Sequence, residues 1–184
     1  MGKLTITETP FEGSYVVEAH PFIDHRGEWG RVFCQNELAS ILGNRHILNI
    51  NFSRTSKKGT VRGMHYQLQP MAEMKLIRCL NGTIFDVAVD LRNDSKTYLQ
   101  WYGIELSGEN RRLSVIPEGF AHGFQALTEN VEMLYLDTQF YSQELERGIR
   151  YNDPMLGIDW PLEPIGMSER DNKHPLLDST FEGC

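Results

Sequence analysis

The sequence predicts an all-β sandwich or barrel, and three observations carry that reading. Short extended runs with a two-residue alternation recur along the chain. Gly, Asn and Pro punctuate them at close intervals. A helical pattern is confined to one short stretch. Many short strands separated by turn residues form sandwiches and barrels more readily than layered α/β folds. In chain order, Asn36–Leu42 predicts a helix, with Asn36 as N-cap and Gly43 as the stop. His46–Phe52 reads as a strand with Ile50 and Phe52 on one face. Arg62–Gln67 and Lys75–Arg78 are neighbouring strand-like segments. Thr83–Leu91 places Phe85, Val87, Val89 and Leu91 on one face and Asp86, Ala88 and Asp90 on the other. Leu99–Leu106, Arg112–Ile116 and Val131–Phe140 alternate similarly. Asn81-Gly82 predicts a hairpin, and Ser107–Asn110 another turn. After about residue 142 the periodicity weakens around Asp153-Pro154, Trp160-Pro161 and Glu163-Pro164. That part predicts a loop-rich tail with short helical turns packed on the barrel. Residues 1–184 read as one domain without internal repeat or linker.

Bulk properties exclude several classes. The chain has 184 residues, 40% of them hydrophobic and 23% charged, as in ordinary globular proteins. A net charge of -7 argues against a nucleic-acid-binding surface. Cys34, Cys79 and Cys184 lie far apart without a CxxC, so neither a disulfide framework nor a zinc site is expected. The first residues carry no apolar leader and no run is long enough to span a bilayer. A cytoplasmic protein is the expectation.

The chemistry concentrates in Arg62-Gly63-Met64-His65-Tyr66-Gln67 and Met74-Lys75-Leu76-Ile77-Arg78. A histidine with cations beside it suits removal of a proton next to a carbonyl and stabilisation of the enolate. A second histidine, His122, follows the turn Pro117-Glu118-Gly119. A lone strand histidine is more often structural, so His65 gains weight only from these neighbours. Two histidines on adjacent strands also raise a metal site. Metal-binding cupins, a class of double-stranded β-helix barrels, use a His-x-His pair, a carboxylate and a later histidine. Here His65-Tyr66-Gln67 breaks the pair and leaves Glu73 as the carboxylate. The expectation is a barrel that needs no metal and no cofactor.

Further motifs carry a resemblance. They are Asp24-His25-Arg26-Gly27, the two segments above, Gly82–Arg92, Leu106–Asn110 and Ile116–Phe124. Asn152-Asp153-Pro154, Ile158–Pro161 and Ser168-Glu169-Arg170-Asp171 complete the set. Together they resemble the dTDP-4-dehydrorhamnose 3,5-epimerase family, the RmlC-like branch of the cupins. The resemblance implies a cupin double-stranded β-helix, or jelly-roll, and a place in deoxysugar and polysaccharide biosynthesis. It also implies cofactor-independent epimerisation of a nucleotide-diphospho-4-keto-6-deoxyhexose. By position it makes His65 the base, Asp171 its carboxylate partner, Tyr135 the proton donor and Lys75 the enolate-stabilising cation. Arg26 and Arg62 fall at the diphosphate-binding arginines, and Tyr141 near the nucleotide. His122, Asn49, Asn51 and Ser53 fall among pocket-lining polar residues. The resemblance further implies a homodimer in which an N-terminal strand crosses to the partner, letting Arg26 serve the partner's site.

The chain departs from the family near the nucleotide base. Glu28 and Trp29 stand where phenylalanines are common, and Arg31 where a glutamate is. Arginine only donates hydrogen bonds, so it cannot accept from thymine N3–H. Trp29 and Arg31 are therefore expected at the base, with a CDP carrier as the alternative to dTDP. Leu136 after Tyr135, and Asn49 in place of glutamine, bear on sugar fit and leave C3-only and C5-only epimerisation open. A metal-dependent cupin activity and a non-catalytic sugar-nucleotide-binding barrel are the competing functions that the same residues leave open.

Overall fold

The computed structural model describes residues 3–184. Its strands, in chain order, are β1 (Leu4–Glu8), β2 (Tyr15–Ala19), β3 (Phe22–Asp24), β4 (Gly27–Trp29), β5 (Asn49–Thr55), β6 (Val61–Gln67) and β7 (Lys75–Asn81). They continue with β8 (Thr83–Asp90), β9 (Trp101–Ser107), β10 (Arg112–Ile116), β11 (Phe120–Ala126), β12 (Val131–Asp137) and β13 (Glu146–Gly148). Two short helices, α1 (Ala39–Leu42) and α2 (Glu169–Lys173), interrupt them. A six-stranded sheet, β1-β2-β10-β7-β12-β5, faces a five-stranded sheet, β13-β6-β11-β8-β9. Between β5 and β13 the chain changes sheet at every connection except the one from β8 to β9. This back-and-forth winding makes the jelly-roll, and its paired strands are antiparallel.

The winding explains the turn that the sequence misled on. Asn81-Gly82 joins β7 to β8, which lie in different sheets, so it is a barrel corner and not a hairpin. Gly82 takes φ 78°, which the corner requires. The Ser107–Asn110 turn is a second corner, from β9 to β10, closed by reciprocal side-chain and backbone bonds between Ser107 and Asn110. The helix is shorter than expected. It begins after Leu38, no side chain caps it, and Asn36 sits in the preceding turns. Gly43 does end it.

Three apolar clusters follow from strand alternation. Ile77, Cys79 and Met133 of one sheet meet Ile84, Phe120 and Phe124 of the other inside the barrel. Leu76, Leu113 and Leu136 point to the outside of the larger sheet, where Leu38, Ile41 and Leu42 cover them. Met64, Val87, Val89 and Leu91 point to the outside of the smaller sheet, beneath Ile149, Leu156 and Trp160 of the tail. Burying each such large side chain stabilises the fold by about 1.5–3 kcal/mol. The tail packs on this sheet, and its consequence for β8 reverses the usual polarity. Phe85, Val87, Val89 and Leu91 share the outward, tail-covered face, while Asp86 on the other face is buried inside the barrel. No helix among the described residues is long and apolar enough to cross a membrane.

Candidate active site

The core does not fill the barrel. A cavity of about 500 Å³ lies between the sheets at the ends of β6, β7, β11 and β12. Alternation places its residues. Met64 packs outward against the tail, so His65 and Gln67 turn toward the cavity. Leu76 faces out and Lys75 in; Leu136 faces out and Tyr135 and Asp137 in. Asn49 and Asn51 enter from β5, and His122 from β11.

Two glycines set the spacing of β6 and β11. A Cβ on Gly63 would lie 2.5 Å from Gly123 Cα, and one on Gly123 2.5 Å from Met64 Sδ. Only a residue without Cβ permits so close an approach, and the register slips by a bulge at that point. Beyond the bulge His65 and His122 are register partners.

Each histidine holds an aspartate. His65 Nε2 lies 2.8 Å from Asp171 Oδ1, with the imidazole partly exposed to the cavity and the carboxylate buried. Ser168 caps α2 by accepting from the Asp171 backbone N–H at 3.0 Å, which fixes the helix over the barrel mouth. Burial alone raises the Asp171 pKa. The hydrogen bond and charge of His65, with donors from Ser168 and the Gly63 backbone, outweigh it and hold the group below the usual carboxylate range. His122 Nε2 lies 2.7 Å from Asp86 Oδ1, and both side chains are almost fully buried.

Opposite His65, Tyr135 Oη shares a 2.9 Å hydrogen bond with Ser53 Oγ. Burial pushes the phenol up to about 12, against the Ser53 bond and the Arg62 charge. It therefore holds its proton at neutral pH. Lys75 Nζ lies 3.1 Å from Glu73 Oε1, and Gln67 Nε2 donates to Glu73 Oε2 at 3.0 Å. Burial raises both Glu73 and Asp137, with Lys75 acting against it in each case. Asn51 Nδ2 donates to Asp137 Oδ2 at 3.0 Å and Asn49 Nδ2 to Gln139 O at 2.9 Å. Arg62 lines the cavity with Nε donating to Thr55 Oγ1 at 3.0 Å, and Tyr141 Oη donates to Glu146 Oε2 at 2.8 Å.

The cavity thus gathers His65, Asp171, Tyr135, Lys75, Arg62, Asn49, Asn51, His122 and Tyr141, with Ser53 one bond behind Tyr135. It does not gather Arg26, Trp29 or Arg31. Arg26 is exposed on the β3–β4 hairpin, where its guanidinium pairs with Asp24. Trp29, on the same hairpin, is exposed. Arg31 pairs with Glu37 instead of reaching the cavity. The sequence does not single out Asp137, Glu146 or Arg170 as site residues, though all three line the cavity. Asp137 has a signal, since it shares strand parity with Tyr135. Arg170 has one in the Ser168–Asp171 motif that carries it, whereas Glu146 has none, because the tail that carries it lacks a period. Alternation assigns Asp86 to a face but not to the barrel interior.

Comparison with known proteins places this geometry. Residues 8–179 match the family model described as dTDP-4-dehydrorhamnose 3,5-epimerase. A curated relative of that name from Pseudomonas aeruginosa is 45% identical over 158 residues, covering 85% of this chain and 86% of the relative. One from Shigella flexneri is 39% identical over 180 residues, covering 97% of this chain and 99% of the relative. The crystal structure of dTDP-6-deoxy-D-glucose-3,5-epimerase RmlC from Legionella pneumophila, in complex with dTDP-4-keto-L-rhamnose, superposes with a TM-score of 0.89. Its identity is 41%, over 94% of this chain and 92% of that one. With a jelly-roll barrel, a histidine–aspartate pair at its mouth and relatives matched over nearly their full length, this chain belongs to the dTDP-4-dehydrorhamnose 3,5-epimerase family.

Proposed function

We propose that the chain epimerises a dTDP-linked 4-keto-6-deoxyhexose at C3, C5 or both, through an enolate and without a redox step. The observation that carries this reading is one cavity shared by the His65–Asp171 pair, Lys75 and Tyr135. The C4 ketone acidifies the neighbouring C–H bonds. Asp171 accepts from His65 Nε2–H, which leaves Nδ1 with the lone pair that takes the carbon-bound proton. The low pKa of Asp171 keeps it charged, so it stabilises the imidazolium as it forms. Lys75 supplies positive charge to the enolate oxygen. Tyr135 keeps its proton until the carbanion needs one, and delivers it from the other side of the sugar ring. Arg62 binds the diphosphate, and Asn49, Asn51, Ser53, His122 and Tyr141 shape the pocket around sugar and nucleotide. Arg31 pairs through Nη1 with Glu37 and does not line the cavity, which leaves a CDP carrier without the contact it depended on. The dTDP ligand of the Legionella relative also favours dTDP.

The working unit we propose is a homodimer. On β5, Asn49 and Asn51 face the cavity while Ile50 and Phe52 lie exposed at the sheet edge, Phe52 by 84%. Phe22, Ile23 and Trp29 on the β3–β4 hairpin are also exposed. Apolar surface of this kind marks an interface. In the single chain β1 pairs with its own β2, so the exchanged segment we favour is the β3–β4 hairpin, which carries Arg26 and Trp29 to the partner's cavity. Mixing Arg26→Ala and His65→Asn chains is expected to restore activity through mixed dimers; no recovery contradicts the exchange. The function itself is tested with purified protein and dTDP-4-keto-6-deoxyglucose in deuterated water. Deuterium is expected at C3, C5 or both of an inverted product. Recovery of unlabelled substrate refutes the reading.

A further inference from the structure

One buried polar atom at the site has no part in this chemistry. His174 Nε2 is shielded from solvent and has no hydrogen-bond partner. Its ring lies flat over Gly148, where an added Cβ would come within 2.2 Å of Nε2. Gly148 on β13 is the register partner of His65 on β6, so this packing delivers a second imidazole to the catalytic pair. His174 Nε2 is 3.9 Å from Asp171 Oδ1, and the two histidine rings stand edge to face with centroids 5.8 Å apart. His65, Asp171 and His174 each offer one donor atom, all within 4.8 Å of one another. Among the described residues no other group of histidine, cysteine and carboxylate side chains converges in this way.

We propose that His65, Asp171 and His174 form an inhibitory binding site for a borderline-soft divalent cation, zinc above all. Two imidazoles and one carboxylate are a common donor set for zinc, with a fourth position left for water. Bonds of about 2.0–2.2 Å in a tetrahedron set donor atoms about 3.3 Å apart. The 2.8 and 3.9 Å separations bracket that value and the two imidazole donors lie within 4.8 Å, so side-chain rotations that draw the imidazoles together complete the set. Calcium and magnesium, which prefer all-oxygen shells, do not fit.

The consequence for the proposed reaction follows from tautomer arithmetic. The ion takes the Nε2 lone pair of His65, so the single proton of the neutral ring must move to Nδ1. Nδ1 is the nitrogen left to face the substrate. Once protonated it cannot accept a proton from carbon, and Asp171 is drawn away from its hydrogen bond to the metal. Zinc therefore silences the site. This consequence rests on His65 being the base, whereas the binding itself does not.

Zinc binding to the whole protein, followed by titration calorimetry without substrate, tests the two parts separately. His174→Phe retains a ring over Gly148 but no ligand, and His174→Gln guards against a packing artefact. One zinc per chain is expected in the wild type, with affinity lowered by about tenfold or more in both variants. In the epimerase assay, zinc is expected to stop wild-type turnover and chelation to restore it. His174→Phe should keep its turnover at the same zinc concentration. No stoichiometric binding, or equal binding by the variants, overturns the site. His174-dependent binding that leaves turnover unchanged overturns the inhibition and, with it, the assignment of His65 as base.

Discussion

Two histidine–aspartate pairs sit side by side in this barrel, on neighbouring strands and in register, and we assign acid–base work to only one of them. The bonds are nearly equal, 2.8 Å for His65–Asp171 and 2.7 Å for His122–Asp86. The surroundings are not. The His65 side chain is 28% exposed and its aspartate comes from α2, at the cavity mouth. The His122 side chain is 7% exposed and its aspartate comes from β8, inside the barrel. A hydrogen-bonded carboxylate orients an imidazole in either place. What separates a base from a structural wall is a free nitrogen that a substrate carbon can approach, with a proton donor across from it. Both rings line the cavity that Tyr135 faces, but His122 is far less exposed and is held against Asp86 within the strand layers.

Breaking the outer pair tests that difference most severely. His65→Asn is expected to lower turnover by about 10⁴-fold, the upper end of what one positioned base supplies. Nucleoside diphosphate binding, followed by calorimetry, should persist, because Arg62 and the polar walls remain. Equal loss of binding and turnover would make His65 a packing residue. Asp171→Asn should cost less, about 10²–10³-fold in turnover, since the imidazole stays in place with its tautomer no longer fixed. An unaffected rate would remove the aspartate from the mechanism.

The inner pair should answer differently. Asp86→Asn leaves buried His122 with an imperfect partner, at a cost of about 1–3 kcal/mol in stability. Thermal or denaturant unfolding measures this. A larger stability loss from Asp171→Asn than from Asp86→Asn would reverse the comparison. The smallest effect concerns acid. The folded-state pKa of Asp171 lies below its ordinary value, so its contribution to stability is complete above about pH 4 and is lost as pH falls through the folded value. Asp171→Asn is therefore expected to flatten the fall in unfolding free energy below about pH 4. An acid limb as steep as that of the wild type counts against the pairing. Glu73 and Asp137 carry the opposite sign, because burial raises their pKa and their charge weakens the fold as pH rises.

Much of this arrangement was legible in the sequence. Two-residue alternation located the strands, because period two is local; His65 and Lys75 stood out by their clustered chemistry, and Tyr135 only through the family resemblance. The motif Ser168–Asp171 supplied the aspartate only through family resemblance, since 106 residues separate it from His65 and no local signal joins them. Asn81-Gly82 looked like a hairpin because a tight turn has the same chemistry whether its strands pair or part. Asp86 was assigned to a face but not to the interior, because alternation tells which residues share a face, not what covers it. The tail covers the apolar side, and the charged side becomes the interior. Arg26, Trp29 and Arg31 carry motif signals whose geometry belongs to a surface hairpin and its surroundings, which a single chain does not bring to the cavity.

The central claim is that His65, and not its twin, takes the proton. Incubating a 4-keto-6-deoxy sugar nucleotide in deuterated water with wild type, His122→Asn and His65→Asn tests it directly, with label at C3 and C5 read by NMR. The account predicts label from the wild type, slower but measurable label from His122→Asn, and none from His65→Asn. Label from His65→Asn with none from His122→Asn would contradict it.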